Sequence, residues 1–115
     1  MRFVPALFVL AIVALSQPLL AHTKIGASVP ADGASVKAPT EIRLSFPAPV
    51  KLTAMNLENE AGDTLALAAL PGEMAESFTV AIEDTLAPGR YHVVWRSVSG
   101  DSHIVSGEFR FTVTD

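Results

Sequence analysis

From Glu41 to Val113 the apolar residues of this chain recur at every second position in short runs, and proline or glycine punctuates the runs. A period of two places apolar side chains on one face of a strand and polar ones on the other. Residues 41–46 (EIRLSF) put Ile42, Leu44 and Phe46 on one face. Pro39 precedes this run, and Pro47 and Pro49 are expected to close it, because proline brings no N–H to a ladder. Residues 51–57 and 64–68 flank the turn cluster Asn59-Glu-Ala-Gly-Asp63 and read as a hairpin. After Pro71-Gly72, residues 77–82 align Phe78, Val80 and Ile82. After Ala87-Pro88-Gly89, residues 90–98 carry Tyr91, Val93 and Trp95 on one face and His92, Val94 and Arg96 on the other. Residues 108–113 turn Phe109, Phe111 and Val113 inward. Helical spacing occurs only over residues 65–70, too short a stretch to nucleate a helix alone. The spacing predicts an all-β chain of about seven short strands, folded as an immunoglobulin-like Greek-key β-sandwich or barrel rather than an open sheet with exposed edges.

The N-terminal segment follows another rule. Met1 and Arg2 make a short basic start, residues 3–15 form a 13-residue apolar run, and Ser16-Gln17-Pro18 breaks it before Leu19-Leu20-Ala21. The run is shorter than the roughly 20 residues that a membrane-spanning helix needs, and no cationic flank follows it. The pattern predicts a secretory signal peptide over residues 1–21, cut after Ala21, and one domain over residues 22–115 that begins with His22. The expected route is secretion through this cleaved segment.

Composition narrows the chemistry. With no cysteine, disulfides, thiolate metal sites and cysteine nucleophiles are excluded, as is a lipid-bearing Cys after the signal. A net charge of −4 argues against nucleic acid, which demands a basic surface. There is no Gly-x-Ser-x-Gly elbow, Walker motif, dinucleotide fingerprint, His-Glu-x-x-His motif or calcium loop, and Ser102 between Asp101 and His103 does not make a triad by adjacency.

Three histidines remain: His22, His92 and His103. A terminal histidine is ordinarily a solvated residue. Once freed by cleavage, however, His22 offers its α-amine and ring Nδ1 as a chelate, and such neutral nitrogens suit Cu(II) or Ni(II). Asp101 and His103 occupy the turn Ser99-Gly100-Asp101-Ser102-His103, where Asp has a common turn role. Positions two apart in an extended stretch face the same way, so the carboxylate and imidazole can also converge on one ion. His92 reads as a structural or surface residue. Met55 reads as core and Met74 as loop filler, since two isolated methionines do not specify a Cu(I) site.

The stretch from His22 to Val36 (HTKIGASVPADGASV), with Pro39, Leu44-Ser-Phe46 and Pro49-Val50, resembles the opening of the CopC family of periplasmic copper-resistance proteins. The ending resembles it as well, through Leu86-Ala-Pro-Gly-Arg-Tyr91, Val94-Trp-Arg96, Ser99, Asp101-Ser-His103, Val105-Ser-Gly107 and Phe109-Arg-Phe-Thr-Val113. The resemblance implies an immunoglobulin-like fold holding one Cu(II) ion through the amine and imidazole of His22, with Asp101 and His103 completing the set. It further implies a monomeric, non-enzymatic carrier or buffer in copper homeostasis and resistance, associated with a CopD-like inner-membrane copper transporter. Two departures stand out. Ser102 replaces the glycine usual in the family, and the methionine-rich loop of some members is missing. Two other functions fit the residues: an oxidative copper enzyme with a histidine brace, and a metal-free interaction module that pairs through an edge strand.

Overall fold

A computed structural model describes residues 26–115. The signal peptide expected over residues 1–21 and His22 lie outside these residues. Seven strands and no helix are found among them: β1 (Ala27–Val29), β2 (Ser35–Lys37), β3 (Glu41–Asn59), β4 (Thr64–Leu65), β5 (Met74–Ala81), β6 (Gly89–Ser99) and β7 (Ile104–Thr114). The strand order is β1-β3-β6-β7-β2, with β4 and β5 also paired to β3, and β2 lies parallel beside β7. The molecule is thus the all-β sandwich that the spacing predicts.

β3 makes the sandwich possible by serving both layers. Its first part pairs with β1 on one side and β5 on the other, and its second part, from Val50 on, pairs with β6 and finally β4. Pro47 and Pro49 do not end the strand, contrary to expectation. They stand where the β5 ladder is interrupted, between Ser45 and Val50, so the missing N–H groups fall at the corner where the strand passes from one layer to the other. A second irregularity follows at Thr53, which is skipped between the Leu52–Ser97 and Ala54–Arg96 pairs and whose hydroxyl donates to the Arg96 carbonyl at 3.1 Å. One extra residue reverses the inward face, so Leu52 and Leu57 are both buried although they differ in parity.

The core is built from the alternating positions. Ile42, Leu44 and Phe46 of β3 meet Phe78 and Val80 of β5 and Tyr91, Val93 and Trp95 of β6, with Phe109, Phe111 and Val113 of β7 behind them. Trp95 meets Phe46 edge to face at 5.3 Å, and Tyr91 stacks on Phe111 at 5.5 Å. Each buried side chain of this size contributes about 1.5–3 kcal/mol relative to exposure. Met55 packs against this cluster as expected.

Other boundaries differ from the sequence reading. β4 spans two residues instead of five, because the chain then leaves β3 and Leu67 bridges to Ile82 across the other layer. β5 starts at Met74, three residues before the alternating run, so Met74 opens a strand rather than filling a loop. β1 and β2, three residues each, are too short to show a period.

Candidate metal centre

β6 and β7 are the most strongly alternating strands, and they pair as far as Val98 and Ile104. Between those residues the chain must reverse, and it does so through Ser99-Gly100-Asp101-Ser102-His103. The turn is closed by the Ser99 N–H donating to the His103 carbonyl and the Ser102 N–H donating to the Ser99 carbonyl, each at 2.9 Å. Ser102 takes a positive φ of 67°, the left-handed conformation in which a Cβ is costly, by about 1–2 kcal/mol. This explains why glycine suits the position. Serine bears the cost here without removing any donor atom from the turn.

The tight turn brings the two predicted side chains together. His103 Nδ1 lies 2.7 Å from Asp101 Oδ2. The Ser99 hydroxyl donates to Asp101 Oδ1, and its oxygen accepts from the His103 N–H at 3.2 Å. The Ser99 hydroxyl, and then the His103 ring, lower the Asp101 carboxyl from its ordinary 3.8 to about 2. Asp101 is therefore ionised throughout the neutral range and accepts only, which puts the ring proton on Nδ1 and leaves the Nε2 lone pair of neutral His103 free. The His103 and Asp101 side chains are 78% and 68% exposed, so this lone pair is open to an incoming ligand. A histidine held at one nitrogen by a carboxylate while the other faces outward is the arrangement that orients and strengthens a metal-binding imidazole.

Among the described residues no group of three or more His, Asp or Glu side chains could hold a metal. Asp101 and His103 form a pair, and a third donor has to come from elsewhere. His92, as expected, is not part of the centre. It sits near the opposite end of β6, about 23 Å from Ser99 at the rise of a strand, with Nε2 2.9 Å from Glu108 Oε2. Two features of the turn have no periodic signature: the anchoring by Ser99 and the neighbouring Met74. A serine two residues before an aspartate in a predicted turn is the only signal for the first.

Two chain segments approach the turn. Val50 of β3, just beyond the proline corner, pairs with Ser99. β1 enters beside the other flank of that corner, where the Gly26 N–H donates to the Ser45 carbonyl at 2.6 Å. The start of the described chain and the Asp101–His103 turn therefore flank the same corner of the sandwich.

Residues 25–114 match the family model described as the CopC domain. The chain is 34% identical over 107 residues to copper resistance protein C of Xanthomonas campestris pv. juglandis, covering 85% of this chain and 84% of that protein. It is 31% identical over 104 residues to copper resistance protein C of Escherichia coli, covering 82% of each. Among solved structures, PcoC, a methionine-rich copper resistance protein from Escherichia coli, superposes with a TM-score of 0.67 at 31% identity, covering 82% of this chain and 100% of that one. CopC from Methylosinus trichosporium OB3b gives a TM-score of 0.67 at 25% identity, covering 80% and 93%.

Proposed function

This chain belongs to the CopC family, a kinship that ties it to copper resistance, and from that premise we propose that it is a periplasmic Cu(II)-binding protein, a non-enzymatic carrier or buffer that holds one ion. The observation that carries the reading is the Asp101–His103 pair, whose geometry leaves one imidazole nitrogen free on an exposed turn. The proposed donors are the α-amine and Nδ1 of His22, His103 Nε2 and the Asp101 carboxylate, which lies at His103 Nδ1 and has to turn from it to reach the same ion. Such a set of three neutral nitrogens and one anionic oxygen matches the tetragonal N and O coordination that Cu(II) favours.

Chain length supports the participation of His22. Three residues separate it from Gly26, and the four extended steps between them cover up to about 14 Å. Gly26 enters beside the proline corner, and Val50 on the far side of that corner pairs with Ser99, which favours an approach of His22 to the β6–β7 turn. The amine exists only after a signal peptide of residues 1–21 is removed, so export and site assembly are one event in this reading. Delivery of the ion to a CopD-like membrane transporter follows from the same family reading, with the protein acting as a monomer.

Replacement of His103 by alanine tests the assignment. In protein beginning at His22, His103→Ala is expected to weaken Cu(II) binding by more than the about 10- to 100-fold that loss of an orienting partner costs. The measurement is a Cu(II) titration against a competing chelator. A variant that binds as tightly as the parent would remove His103 from the site.

A further inference from the structure

An apolar groove lies open at the proline corner. It is lined by Phe46, Pro47, Ala48 and Val50 of β3, Ser97 of β6 and Val105 of β7, and its volume is about 130 Å³. The Ser97 hydroxyl donates to the Val105 carbonyl at 3.3 Å, so the one polar side chain of the lining is already satisfied. The two ends of the groove adjoin different parts of the chain. Phe46 follows Ser45, whose carbonyl accepts the Gly26 N–H, whereas Ser97 and Val105 are paired two residues outside Ser99 and His103. The groove thus leads from the start of the described chain toward the Asp101–His103 turn.

The chain enters β1 through an irregularity. Ser28 pairs with Leu44 and Ala27 with Ser45, a register in which Gly26 would oppose Phe46. The Gly26 N–H donates instead to the Ser45 carbonyl, at 2.6 Å. Two residues on the β1 side therefore meet one residue of β3, which is a β-bulge. A Cβ on Gly26 would stand 3.3 Å from the Ser45 oxygen, a close approach that suits glycine. One extra residue shifts the alternation by one, so the position before Gly26 falls on the inward face of Phe46 instead of the exposed face of Ser45. That position is Ile25, the one large apolar residue in the stretch 22–25 (HTKI).

We propose that the groove seats the N-terminal segment of this same chain: the Ile25 side chain fills it and thereby positions His22 at the β6–β7 turn. The volume suits one aliphatic side chain, since an apolar cavity of about 150 Å³ accepts a benzene ring. From Ile25, three extended steps back to His22 cover about 10 Å. Ile25 is a positioning residue that acts on copper only through the His22 chelate, so this role rests on the reading that His22 is a ligand. Docking orders the segment before the ion arrives and removes that cost from binding.

The test uses protein beginning at His22, as the parent, Ile25→Ser and Ile25→Leu. In the metal-free parent, methyl NMR should show contacts within one chain from the Ile25 side chain to Ala48, Val50 and Val105. Ile25→Ser should weaken Cu(II) binding by about tenfold or more, because the donors are then assembled only part of the time, and Ile25→Leu should keep it within about threefold of the parent. With one extra residue before His22, Ile25→Ser should change Cu(II) binding by less than about twofold, since no terminal chelate is left to position; a general loss of folding would weaken both forms alike. Absence of the methyl contacts, or contacts found only between differently labelled copies, would overturn the docking. Cu(II) binding as tight in Ile25→Ser as in the parent would overturn the positioning role. A parent that shows the contacts and binds no Cu(II) would overturn the copper reading and the positioning role with it, and would uphold the docked segment.

Discussion

Asp101 keeps its charge deep into acid because the Ser99 hydroxyl and the His103 ring both hydrogen-bond its carboxylate. Its folded pKa of about 2 lies below the ordinary 3.8, so the stabilisation it lends the folded chain is present above about pH 4 and lost as pH falls through 2. Copper loss on mild acidification must therefore come from protonation of the nitrogen donors, the terminal amine with a reference pKa of about 7.7–8.0 among them, and affinity should fall as pH drops from 8 toward about 5. Ser99→Ala removes the larger of the two hydrogen-bond effects. In the metal-free protein the Asp101 carboxyl should then titrate closer to 3.8 without reaching it, since His103 remains; carbon NMR of the side-chain carboxyl reads this directly. An unmoved midpoint would mean that Ser99 does not hold the carboxylate. Asp101 and His103 are legible in the sequence because Asp-x-His falls in a turn between two strongly alternating strands. The wiring by Ser99 and the left-handed Ser102 are not, because tight turns are closed by local hydrogen bonds that leave no period.

Among the elements, β3 departs furthest from its sequence pattern, and for two physical reasons. Prolines stop a strand only where both neighbours require their N–H groups; at Pro47 and Pro49 the strand changes layers, and the ladder is open there. Thr53 then inserts one residue and reverses the inward face, which breaks a strict alternation into two shorter ones. β6 and β7, by contrast, pair without a slip from Gly89–Val113 to Val98–Ile104, and their inward residues are those the alternation assigns. Their contact depends on Gly107, paired with Trp95: a Cβ there would stand 2.4 Å from Trp95 Cζ2. Because the indole is 98% buried against Phe46, it has no open direction in which to retreat, and Gly107→Ala should destabilise the domain by about 1–3 kcal/mol, the usual cost of overpacking. The readout is the urea midpoint at unchanged slope, with Gly72→Ala as the control, since nothing lies within 4 Å of its Cβ position. Equal midpoints for the two variants would refute the steric account.

Over the whole molecule, the proposed centre draws on both ends of the chain. The late β6–β7 turn supplies an oriented histidine and a carboxylate, and the sandwich sets β1, at the start of the described residues, beside the proline corner whose other flank pairs with that turn. The sandwich is a scaffold that joins two distant stretches of sequence at one corner. It offers no third His, Asp or Glu to that pair among the described residues, which is why the α-amine of His22 matters more to the account than any other group. The most direct test is a Cu(II) titration, followed by electron paramagnetic resonance against a competing chelator, of protein that begins at His22 and of the same protein with one extra residue before it. The account predicts tight binding of one ion only when His22 is first, and equal weak binding by both forms would contradict it.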